Sequence, residues 1–122
     1  MAKNEALVGG IVDIHDAATE IGRICNDYRA LDVDCTVLLT HIGFEEDKRL
    51  AAQLDPALGI DIIVGGHSHT FLNYADYVKN KDNESIPVVQ TGSKGICLGY
   101  AKVKLNAGGQ PSFTYRLIPV KN

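Results

Sequence analysis

At 122 residues, with 45% hydrophobic and 22% charged side chains, the chain has the length and balance of one globular domain or a part of one. That composition excludes a disordered acidic tail, a collagen-like chain and a disulfide knot. A net charge of −3 offers no basic face for nucleic acid, and no apolar run approaches the ~20 residues of a membrane span.

Residues 6–14 are apolar with two glycines and predict a short strand. Asp13 or Asp16 is placed to cap the helix that follows. Ala17, Ala18, Ile21, Ile24, Cys25, Tyr28 and Leu31 then recur at helical spacing, with Glu20, Arg23 and Arg29 on the other faces. Residues 33–40, VDCTVLLT, form a nearly continuous β-branched and apolar run, the pattern of a strand covered on both faces in a parallel sheet. Residues 45–54 predict a second helix with acids in its first turn, punctuated at its end by Pro56 and Gly59. Residues 60–66, IDIIVGG, read as another short buried strand. The order is thus strand, helix, strand, helix, strand, with right-handed parallel crossovers expected.

After Leu72 the texture changes. Residues 74–79, 87–91, 96–105 and 112–120 are strand-like, with turn clusters at 80–85 and 106–110. This half should be antiparallel or mixed. No Gly/Ser/Pro linker divides the chain, so one α/β folding unit is expected. Cys25, Cys35 and Cys97 are odd in number and lack a CxxC spacing, and they read as small buried hydrophobes. The first ten residues carry no apolar stretch of the kind an export signal needs, which leaves the compartment open.

Three of the four histidines fall at strand ends. His41 follows TVLLT, His67 follows DIIVGG, and His69 comes two residues later. If the two strands are parallel, their carboxyl ends share the sheet edge where open α/β sheets place their sites. An extended segment would point His67 and His69 to the same side, ~6–7 Å apart. Imidazoles so arranged suit Zn, Mn, Fe or Ni, and the pair would serve two ions. Ser68 and Thr70 are placed to hydrogen-bond behind such ligands. Asp47, in the first turn of the second helix, is within reach of orienting His41, although an acid at a helix start ordinarily faces solvent. His15, at a junction with no partner nearby, reads as structural. The segment 92–95, GSKG, reads as a strand connection, because it lacks the P-loop pattern.

Four blocks carry a resemblance: LLTHIGFEEDKRLA, GIDIIVGGHSHTFL, IPVVQTGSKGICLGYAKVKL and FTYRLIPV. They resemble successive blocks of the 5'-nucleotidase family, whose catalytic domain is a calcineurin-like metallophosphoesterase. The likeness runs over residues 8–120. It implies a four-layer α/β/β/α sandwich with two divalent metal ions (Zn, Mn, Fe or similar) at the strand ends. By motif position His41 and His67 match ligands of one metal, and His69 matches a ligand of the other. The family activates a water that attacks a nucleotide or related phosphate ester, and its members are often periplasmic, secreted or at the cell surface.

The family's opening DxH motif, its GD segment and its GNHE or GNHD segment have no counterpart. Asp13 and His15 have DxH spacing but stand directly before a helix, so they are not read as a metal pair. The resemblance therefore implies that residues 1–122 are a partial domain, the C-terminal half, without the family's nucleoside-binding domain. Such a chain would have no catalytic residue of its own, would hold at most one ion weakly, and would be nearly inactive alone. The alternative is a non-catalytic structural or interaction module, whose uncovered sheet would allow association with a complementary chain or a homo-oligomer. A third reading is a mononuclear metal-binding protein that uses the three histidines as a facial set.

Overall fold

Asp13 starts the first helix. In the computed structural model, which describes residues 13–28, 31–55, 57, 59–107 and 111–120, Asp13 Oδ1 accepts the backbone N–H groups of His15 at 2.8 Å and Asp16 at 3.2 Å. These are donors that a helix start otherwise leaves unpaired. The cap is therefore Asp13, not Asp16, and its carboxylate is engaged with the helix. The strand predicted for residues 6–14 lies outside the described residues except for its last two, which are this cap and the first helical residue.

Helix α1 runs Ile14–Tyr28. It turns Ile14, Ala17, Ala18 and Ile21 to the core, the four-residue repeat expected of a half-buried helix. Its outer face carries an exposed ion pair between Arg23 and Glu20 at 3.0 Å, worth little in water.

Strand β1 (Thr36–Leu39), helix α2 (Phe44–Gln53) and strand β2 (Ile60–Val64) follow. β1 and β2 pair in parallel, with Leu38 beside Ile63 and Leu39 beside Val64. A bulge between Thr36 and Val37 skips Asp61 in the register, and the Asp61 carboxylate accepts the Thr36 N–H at 2.8 Å. Strand β3 (Asp76–Lys79) runs antiparallel to β4 (Ser85–Val89), which in turn pairs in parallel with β2. The sheet order is β1-β2-β4-β3. Strands β5 (Cys97–Lys104) and β6 (Ser112–Pro119) form a separate antiparallel ribbon. The fold is the mixed α/β arrangement expected, parallel first and antiparallel afterwards. Predicted and observed element ends differ by a few residues.

The core lies where both helices cover one face of the sheet. Ile14, Leu50, Ala51 and Leu54 meet Ile63, Ile86 and Val88 there. Each large apolar side chain buried in this way stabilises the fold by about 1.5–3 kcal/mol. On the opposite face, at the β1 edge, Val37 and Leu39 remain 48% and 76% exposed. The three cysteines are only half-buried, not the buried hydrophobes expected, and the described residues contain no disulfide. Cys25 lies on α1, Cys35 directly before β1 and Cys97 at the start of β5, each on a partly open surface. No helix among the described residues is long and apolar enough to cross a membrane.

Candidate metal centre

Parallel pairing decides which side chains meet. β1 and β2 end at the same edge, and their hydrogen bonding continues beyond both strands: Thr40 N–H donates to the Val64 carbonyl at 2.9 Å, and Gly43 N–H to the Gly66 carbonyl at 3.1 Å. The two segments that follow therefore run side by side. His41 and His67, one from each, stand edge to face, with ring centroids 5.2 Å apart and planes at 73°. Gly66 makes room for His41: a Cβ there would lie 3.1 Å from His41 Nδ1. Gly43 is required instead by its backbone, at φ +98°.

The conformation of the second segment differs from the sequence expectation. His67 and His69 have φ of +78° and +57°, so the HSH segment is not extended and its two histidines do not alternate as on a strand. Histidine tolerates this left-handed region better than most residues, but each instance still costs about 1 kcal/mol. Hydrogen bonds hold the loop in place. Ser68 Oγ accepts the Phe44 N–H at 3.0 Å, which supplies from another element the cap that Gly43 cannot give α2. Ser68 Oγ also lies 2.8 Å from Thr70 Oγ1. Ser68 and Thr70 thus fasten the loop to its surroundings.

Asp47 is fully buried, which overturns the expectation of a solvated helix-start acid. It lies on the inward stripe of α2 with Leu50 and Ala51, a stripe continued by the C-cap residue Leu54, at spacings of three, four and seven. That spacing is the sequence signal for its burial. Its Oδ1 accepts the Thr40 hydroxyl proton at 2.6 Å, so it braces the residue before His41. Its Oδ2 has no hydrogen-bond partner among the described residues and points at the Cα of Gly65, where an added Cβ would overlap it. Burial pushes the carboxyl above the usual carboxylate range, and the Thr40 hydroxyl opposes this in part.

The folded state then holds the Asp47 proton more tightly than the unfolded chain does. Ionisation therefore takes stability away as pH rises from the unfolded value of ~3.9 through the raised folded one. Asp47→Asn keeps an acceptor for Thr40 and cannot ionise. Its urea midpoint should gain on that of the unaltered chain between about pH 4 and pH 7. A difference that stays constant or shrinks over that interval would count against the buried acid.

Two imidazoles bound to one tetrahedral ion, each ~2.1 Å from the metal through nitrogen, have centroids ~5.2 Å apart. The observed separation of His41 and His67 equals that distance and is also that of an ordinary edge-to-face ring pair. Among the described residues, however, no three His, Cys, Asp or Glu side chains are grouped so as to hold a metal ion. His69 therefore does not complete a set with the other two. His15 sits exposed on α1. One residue of the site was missed from sequence: Gln90, almost fully buried at the end of β4. The visible signal was a lone amide closing the apolar run IPVV.

Comparison with known proteins follows the same segment. The snake venom 5'-nucleotidase of Gloydius brevicauda is 34% identical to this chain, over 78% of the chain and 18% of the relative. That of Macrovipera lebetinus is 32% identical, over 91% of the chain and 31% of the relative. Among solved structures, the 5'-nucleotidase precursor from Thermus thermophilus superposes with a TM-score of 0.74 at 28% identity, covering 88% of this chain and 23% of that one. No protein-family model matches the chain. The chain spans between about a fifth and a third of the length of these relatives. Sequence kinship along most of its length, together with the shared fold, places this chain in the 5'-nucleotidase family, as a counterpart of one segment of its longer members.

Proposed function

We propose that this chain forms one wall of a 5'-nucleotidase-like phosphohydrolase site, in which His41 and His67 bind the same divalent cation. The observation that carries this reading is the edge-to-face meeting of the two rings at the carboxyl rim of parallel strands. His69 is assigned to a second cation, whose remaining ligands would come from outside the described residues. A cation at such a rim polarises phosphoryl oxygens and makes a bound water more acidic. The chain's own residues prepare the rim. Thr40 and Asp47 hold the backbone under His41, and Ser68 fixes the following loop to the N-terminus of α2. Gly66 keeps side-chain bulk off the His41 ring.

The substrate class that follows is a nucleotide or a related phosphate monoester. The chain by itself is expected to be nearly inactive, because among the described residues no three His, Cys, Asp or Glu side chains are grouped to hold one ion, and the reaction calls for two. Incubation with a nucleoside monophosphate and excess Zn, Mn or Co should release no phosphate above the metal-only control. Robust turnover that disappears in His67→Ala would overturn the claim of incompleteness. A second reading, a module that associates through its sheet, is favoured by the exposure of Val37 and Leu39 on the edge strand β1. Light scattering tests it: a concentration-independent monomer mass would remove that reading.

A further inference from the structure

Gln90 closes β4 after four buried residues and is itself 1% exposed. The orientation of its amide is not free. The Thr70 backbone N–H can only donate, so the atom 2.7 Å from it is the side-chain oxygen. Ser68 Oγ lies 3.2 Å from that same oxygen. The amide nitrogen is left without a hydrogen-bond partner among the described residues. A position that served only packing would be filled at less cost by an apolar side chain of the same length.

What the oxygen does is local. It fastens residues 68 and 70, which interleave with two histidines held at positive φ. Gln90 is itself anchored. Its carbonyl accepts the Leu72 N–H at 3.2 Å and the Tyr115 hydroxyl at 3.4 Å, so the oxygen projects from a fixed post. Strained backbone persists only where its surroundings over-determine it. Here the surroundings are this amide, the α2 N-terminus and backbone bonds at the loop's two ends, Ser68 N–H to the Gly66 carbonyl at 3.0 Å and Gly92 N–H to the Thr70 carbonyl at 2.9 Å. Of these, the amide is the side-chain group that reaches both residue 68 and residue 70.

We propose that Gln90 is the positioning residue of the histidine loop, and that its side-chain oxygen keeps His67 turned against His41. The inference deepens the metal-centre reading and rests on it for ion affinity, but not for the ring geometry.

The test uses the full isotope-labelled chain with two readouts: the nuclear Overhauser effect between the His41 and His67 rings, and titration with Co(II). The unaltered chain should show the inter-ring signal. Gln90→Met, which keeps the volume and removes the oxygen, should melt cooperatively, lose that signal and bind Co(II) at least ~10-fold more weakly. Val88→Ala, a cavity mutation on the same strand, should lose stability but keep both the ring signal and the affinity. A folded Gln90→Met that keeps the signal and the affinity would overturn the proposal. So would a Val88→Ala that loses both, or an unaltered chain without the signal. If Gln90→Met does not fold, Ser68→Ala at an exposed position removes one of the two bonds to the oxygen and should weaken the signal, and an unchanged intensity would be equally fatal. Absence of Co(II) binding in every form would sink the metal reading alone, and the ring comparison would still decide the role of Gln90.

Discussion

Gly65→Ala should lower the stability of the chain by about 2–3 kcal/mol, the upper part of the range for overpacking a filled interior. The new methyl carbon would overlap Asp47 Oδ2. That oxygen belongs to a fully buried side chain whose other oxygen is held by Thr40. The carboxylate cannot swing into solvent without dragging the first turn of α2 with it. Nor can the strand retreat, because Gly65 N–H is bonded to the Val89 carbonyl at 2.9 Å. At about 4 °C per kcal/mol for a chain of this size, the midpoint of a thermal melt should fall by ~8–12 °C. Asp47→Ala supplies the internal check. Alone it should destabilise, because Thr40 loses its acceptor. Combined with Gly65→Ala it should relieve the overlap, so that the double variant is more stable than the sum of the singles by about 1–2 kcal/mol. Strict additivity would mean that the two residues do not press on each other.

The second large effect concerns the cation. His67→Ala and His41→Ala should each weaken Co(II) binding by at least ~100-fold, beyond what removal of a supporting hydrogen bond costs. The double variant should be little worse than either single, because two ligands on one ion act as a unit. His69→Ala should matter much less, since its side chain joins no group able to hold an ion with the other two. His15→Ala, on the exposed face of α1, should change nothing. Co(II) spectra in the visible range read all five variants. A single variant at position 41 or 67 that binds as tightly as the unaltered chain would remove the shared-ion assignment.

Much of this is legible in the sequence. The run TVLL, the run IDIIV and the acid-led stretch between them specify a βαβ unit, and parallel strands with a short crossover leave their carboxyl ends together. From that alone His41 and His67 can be placed at one rim, and their rings do meet there. The expectation that His67 and His69 extend from a strand fails for a physical reason. β2 stops at Val64, and the loop conformation beyond it is imposed by bonds from residues 20 and 24 positions away in sequence. No local propensity reports such bonds. Asp47 is easily misread because a first-turn acid satisfies the helix dipole wherever it points, although its place on the stripe with Leu50, Ala51 and Leu54 already aims it inward.

Periodicity and residue type along the chain were enough for the order of elements and the parallel-then-antiparallel change, since these depend on neighbours within a turn or a strand. Three histidines could be placed at one rim only by assuming parallel pairing, and the packing decided that His41 and His67 are the two that face each other. The burial of Asp47 against Gly65, the left-handed turn of the histidine loop and the place of Gln90 behind it were settled only when distant segments packed. Each of them is a contact between groups that the backbone brings together late in sequence, through hydrogen bonds whose partners no local pattern names.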